Sequence, residues 1–166
     1  MLARVLLCAM GLLVLSSDLI AAELQWRVGL ARAKVTPEGP IPMVGYAPHV
    51  SDGVLDELEA KAMAIEHVRG GRAVLLTADL LFFRAPMAEA VAGQIIKKTG
   101  LARRQILLNA SHTHSGPVFG LKDPDRFNLS DDQRKRVDAY TQKLSAALVD
   151  LVVAALAELK PARLSW

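Results

Sequence analysis

The chain has 166 residues, 52% of them apolar, and a formal net charge of +3 at pH 7. That is enough apolar material for one modest core and excludes global disorder. Acids and bases are interspersed, so no basic stripe marks a nucleic-acid footprint. The cluster Arg134-Lys135-Arg136 beside Asp131 and Asp132 reads as a solvated helix face.

The N-terminus has the layout of a secretory signal. Met1-Leu2-Ala3-Arg4 carries one positive charge, "VLLCAMGLLVL" supplies an apolar stretch, and Ala21-Ala22 offers a cleavage point. The clean apolar run is shorter than the ~20 residues of a spanning helix. Residues 1–22 are therefore expected to be a removable signal peptide, and the mature chain 23–166 to be secreted or periplasmic. The sole cysteine, Cys8, falls inside the signal, which leaves residues 23–166 without disulfides or thiolate ligands. Chemistry there rests on His, Asp, Glu, Ser, Lys or Tyr.

"WRVGLARAKV" (Trp26 to Val35) partly alternates and predicts a strand ending at Thr36-Pro37. The Pro- and Gly-rich "PEGPIPMVGYAPHVSDG" predicts an irregular, exposed loop. "LEAKAMAIEHV" places Leu58, Ala60, Ala62 and Ala64 on one side of a second strand. After Arg69-Gly70-Gly71-Arg72, the continuous apolar run "AVLLTADLLF" predicts a central strand buried on both faces, forming a hairpin with its predecessor. Pro86 opens a helix over "MAEAVAGQIIKKT", with Met87, Val91 and Ile95 on one face and Gly100 as its cap. "QILLNA" is a further short strand, completing a strand–helix–strand unit with a parallel pair. Ser130 and Gln133 form a capping box, after which Val137, Tyr140, Leu144, Leu148, Leu151 and Ala155 trace one stripe of a long helix. Pro161 stops it, and "ARLSW" predicts one more strand. The fold class is α/β: a mixed sheet with strand–helix–strand units and a long C-terminal helix.

The stretch "LLNASHTHSGPVFG" carries the candidate chemistry. On an extended backbone His112 and His114 would project to the same side, where both could meet one zinc ion or divide metal and substrate between them. The C-terminal end of a strand is also where α/β sheets place ligands. From spacing alone, a metal site and a polar turn before Gly116-Pro117 are evenly balanced. Ser111, Thr113 and Ser115 either orient the rings through hydrogen bonds or serve as turn residues. Asp79, at the end of the other apolar strand, is a partner for these rings, a distant metal ligand, or a tie for the following loop. His49 and His67 carry no signal, and Glu57 and Glu66 are expected to face solvent. No G-x-S-x-G, Walker, dinucleotide-binding or EF-hand motif occurs. These residues leave open a small exported metal-dependent esterase, which needs Asp79 close to His112, and a non-catalytic exported binding module.

In order along the chain, "VGLARAKVTP", "MVGY", "DGVLDELEAKAMAIE", "AVLLTADL", "ILLNASHTHSGP" and "KPARL" resemble the N-terminal part of the catalytic domain of the neutral/alkaline, non-lysosomal ceramidase family. The resemblance spans nearly all of 23–166, and "SHTHSGP" is its specific part. It implies a Zn2+-dependent amidohydrolase that cleaves the N-acyl bond of ceramide to sphingosine and a fatty acid. It further implies His112 as a zinc ligand and His114 as a catalytic residue beside the substrate amide. Asp79, Ser111 and Ser115 would be supporting groups behind them. Implied partners are a ceramide-like lipid amide and a membrane surface touched peripherally, with no nucleic acid. Where the family often has a histidine after Gly-Val, this chain has Leu55. The family's remaining zinc ligands (a second histidine, a glutamate and a tyrosine) and its active-site serine lie further downstream than Trp166. The resemblance therefore implies a fragment: an incomplete domain holding half a zinc site. An uncovered sheet edge or face is expected, and with it self-association.

Overall fold

The computed structural model describes residues 25–120 and 127–165. The expected signal at 1–22, with Cys8, lies outside the described residues, as does Trp166. The strands are β1 (Trp26–Lys34), β2 (Met43–Val44), β3 (Glu59–His67), β4 (Arg72–Ala78), β5 (Ile106–Ala110), β6 (Gly116–Pro117) and β7 (Lys160–Ala162). The helices are α1 (Ala85–Thr99) and α2 (Asp131–Ala157). Five strands form one sheet in the order β5-β4-β3-β1-β7, while β2 and β6 pair separately. Only β4 and β5 run parallel, joined through α1; the other pairs are antiparallel. The mixed α/β architecture is the one expected.

Small residues make the centre of the sheet a low floor. Ala60, Ala62 and Ala64 of β3 are buried beside Gly29, Ala31 and Ala33 of β1. Bulk comes from the helix above: Val137, Tyr140, Leu144, Leu148, Leu151, Val152 and Ala155 of α2 are all buried. The approach is close enough that a Cβ built on Gly29 would lie 1.9 Å from the carbonyl oxygen of Ala155. Ser130 accepts from the Gln133 amide and Gln133 accepts from the Ser130 amide, which closes the capping box at the start of α2. Tyr140 donates its hydroxyl to the Val35 carbonyl at 2.8 Å, tying α2 to the end of β1. Leu76, Leu80, Ile95 and Leu148 are fully enclosed, each such side chain contributing about 1.5–3 kcal/mol of burial.

Four expectations change. β4 lies inside the sheet, but only Val74, Leu76 and Ala78 are fully buried. Leu75 falls in a row Leu30–Met63–Leu75–Leu107 across four strands on the other face, where Leu30 is 67% and Leu107 61% exposed. Both helices pack with each other on the first face, so a run of apolar residues here marks a strand with one buried side. The 37–53 loop is not wholly exposed. Ile41 and Pro42 are buried, because Met43–Val44 pair with Gly116–Pro117 and Val118 donates to the Pro42 carbonyl. The last strand begins earlier than "ARLSW", at Lys160, where Pro161 is tolerated in a short edge strand. Glu66 does not face solvent freely: Arg27 and Arg72 clamp it, leaving its side chain 17% exposed. The Arg72 hydrogen bond first, and then that of Arg27, holds its carboxyl below the usual range.

Gly29→Ala is expected to lower stability by about 1–3 kcal/mol through overpacking against α2, measured by urea unfolding; no loss would mean that α2 does not sit this close. Burial pushes the Tyr140 hydroxyl well above its ordinary pKa. The folded state then keeps a proton that the unfolded chain releases, so stability should fall as pH rises past about 10. Tyr140→Phe should remove that alkaline loss and at neutral pH cost about 1–3 kcal/mol for the unpaired Val35 carbonyl. Equal alkaline slopes for the two proteins in pH-dependent melts would contradict it.

Candidate functional site

The parallel register places Ala78 opposite Ala110, so β4 and β5 finish side by side and their following residues share one end of the sheet. The backbone stitches those residues together. Ser111 N–H donates to the Ala78 carbonyl and His112 N–H to the Leu80 carbonyl, both at 3.0 Å. His112 then departs from the extended backbone that the spacing assumed. Its φ is +63°, a left-handed conformation that costs a non-glycine residue of order 1–3 kcal/mol. Such strain persists only where the surroundings fix it, and here the ring supplies the tie. His112 Nδ1 lies 2.8 Å from the Leu81 carbonyl oxygen. A carbonyl can only accept, so Nδ1 carries the proton, and in the neutral ring Nε2 then keeps its lone pair. The residue as a whole is exposed.

His114 sits differently. Its ring centroid is 5.1 Å from that of His112 and 5.0 Å from that of Tyr46. Its Nδ1 is buried without a hydrogen-bond partner among the described residues. The two histidines thus come together despite the kink, one oriented by a hydrogen bond and the other by packing. Gly45 lies directly on the backbone of His114. At φ +123°, a Cβ on Gly45 would stand 2.7 Å from His114 Cα.

The neighbouring hydroxyls face a different space. A cleft of about 730 Å³ runs between the 36–58 loop and the motif. Asp79, Ser111, Thr113 and Ser115 line it together with Ile41, Met43, Leu55 and Leu58, and neither histidine does. Ser111 and Ser115 make no side-chain hydrogen bond to the imidazoles among the described residues. Asp79 accepts from the Glu59 amide at 2.9 Å while its own amide donates to the Glu59 carbonyl, which ties the end of β4 to the start of β3. Leu55, also on the lining of the cleft, is fully exposed. Glu57, on the same wall, is paired with Lys34 and Thr36, whose hydrogen bonds hold its carboxyl below the usual range.

As a metal site the arrangement is partial. His112 fits one ligand position, since its Nδ1–H is used and its Nε2 makes no hydrogen bond among the described residues. Among the described residues no group of three or more His, Cys, Asp or Glu side chains could hold a metal ion. His49 bonds to the Ala47 carbonyl in the 43–50 loop and His67 packs on Trp26, and neither joins the motif. Sequence reading missed the Leu81 carbonyl and the Gly45–Tyr46 contact. The first is a backbone atom with no sequence signature; the second was visible only as the block "MVGY".

No protein-family profile matches the chain. A neutral ceramidase from Pseudomonas aeruginosa is 32% identical over 171 aligned residues, which cover 97% of this chain and 24% of that protein. The crystal structure of neutral ceramidase from Pseudomonas aeruginosa superposes with a TM-score of 0.69 at 27% identity, over 83% of this chain and 22% of that one. A structure described as ceramidase complexed with C2 gives a TM-score of 0.68 at the same identity and coverage. The chain spans about a quarter of the length of the curated relative it matches. The sequence match runs along nearly the whole chain and the fold match along 83% of it, and the chain belongs to the neutral ceramidase family.

Proposed function

We propose that this chain supplies part of a zinc amidohydrolase centre that cleaves the N-acyl bond of a ceramide-like lipid amide, yielding sphingosine and a fatty acid. The observation that carries the reading is the pair of imidazoles at the shared end of β4 and β5, with His112 oriented so that Nε2 is available. His112 is the metal ligand. The Leu81 carbonyl fixes its tautomer and its direction, the usual task of the group behind a ligating histidine. His114 is the catalytic residue that holds or polarises the substrate amide, with the rings of His112 and Tyr46 packed near its own. A zinc ion, when bound, supplies Lewis-acid polarisation of the carbonyl and activation of water.

The cleft beside the motif, lined by apolar Ile41, Met43, Leu55 and Leu58 as well as by Ser111, Thr113 and Ser115, suits an amphiphile with a hydroxylated polar end. In this reading Asp79 is a brace for the strand ends, and Ser111 and Ser115 contact the ligand more readily than the rings. Export through residues 1–22 and peripheral contact with a membrane surface belong to the same reading, because the substrate is a membrane lipid.

One ligand does not make a closed zinc site, which takes about three protein donors in catalytic centres. The chain is therefore expected to take up zinc weakly through His112 and to hydrolyse a fluorescent ceramide negligibly by itself. Equilibrium dialysis with metal analysis checks the first point, and His112→Ala should abolish the uptake. Unchanged zinc content in His112→Ala would remove His112 as the ligand. Rapid turnover lost in that variant would mean that the chain completes the centre alone.

A further inference from the structure

His112 and His114 are held by different forces, and the difference singles out Tyr46. An imidazole turns readily about its second side-chain torsion, which has broad, roughly two-fold minima. In His112 the hydrogen bond to the Leu81 carbonyl stops that turn. His114 has no such bond at Nδ1 among the described residues, and the rings within about 5 Å of its own are those of His112 and Tyr46.

The placement of Tyr46 is not that of a core residue. Its side is largely in solvent, with 75% exposure, so burial does not explain where it sits. Backbone geometry does. Met43–Val44 pair with Gly116–Pro117, two and three residues past His114, and so fix the 43–46 segment to the motif loop. Gly45 then adopts φ +123° and passes so near His114 that no side chain fits between them. The turn delivers the Tyr46 ring to 5.0 Å from His114 with the planes inclined by 58°.

We propose that Tyr46 is a positioning residue for His114, holding the imidazole in one orientation through ring packing while Gly45 sets the distance. This rests on the reading of His114 as the group that meets the substrate amide, where a loose ring forfeits orientation.

The test uses the full chain labelled with 13C at histidine Cε1, and reads side-chain order parameters by NMR relaxation. In Tyr46→Ala the His114 value should fall from the rigid range near 0.85 to below about 0.6. His112, the thermal midpoint and zinc uptake should stay unchanged. Tyr46→Phe keeps the ring and should keep His114 rigid. A rigid His114 in Tyr46→Ala overturns the proposal, as does equal loosening in Tyr46→Phe, which would put the hydroxyl in place of the ring. Both readouts are independent of the zinc measurement. Failure here leaves His112 as a ligand, whereas zinc retained by His112→Ala removes that ligand without touching the Tyr46 result.

Discussion

The parallel pairing of β4 with β5 ends in register at Ala78 and Ala110, and two backbone hydrogen bonds carry the order one step further. Ser111 donates to Ala78 and His112 to Leu80, so the motif leaves the sheet as a fixed loop. The positive φ of His112 follows from that path, and the bond from its ring to the Leu81 carbonyl helps to fix it. The same carbonyl that stabilises a strained turn therefore decides which ring nitrogen is left to bind. Strain of this kind at a candidate site fits the general pattern that functional residues occupy sparsely populated backbone regions.

Holding that strand end steady is the work of the floor behind it. Gly29 and the alanines of β1 and β3 let α2 descend onto the sheet, and α1 closes beside it. The opposite face carries the apolar row Leu30–Met63–Leu75–Leu107 with its two end residues largely exposed. That row lies beside the polar row Arg32–Lys61–Thr77–Asn109, and its exposed ends give the sheet an apolar strip suited to association. The relatives it matches are about four times its length by coverage, and their fold includes this unit as a part.

Much of this was legible in the residues. The capping box at Ser130–Gln133, the α2 stripe, the Gly70-Gly71 hairpin and the parallel unit across α1 follow from local chemistry and periodicity, which tertiary packing reinforced. The β4 run misled because apolar residues on an open face look the same in sequence as residues under a second helix layer. Glu66 misled because its partners, Arg27 and Arg72, come from neighbouring strands and one of them is distant in the chain. At the site, the two histidines were identified by type and spacing, but the extended geometry assumed for them was not what brings their rings together. The Leu81 carbonyl is invisible to any reading of side chains, and Tyr46 reaches His114 only through a glycine turn and a two-residue strand pair.

The central claim is that the Leu81 carbonyl fixes the proton of His112 on Nδ1 and leaves Nε2 as the donor atom. Long-range 1H–15N correlation of the histidine side chains in the metal-free chain observes this directly. His112 is expected as the Nδ1–H tautomer, with Nε2 showing the shift of an unprotonated nitrogen. An Nε2–H tautomer, or rapid exchange between the two, would contradict it.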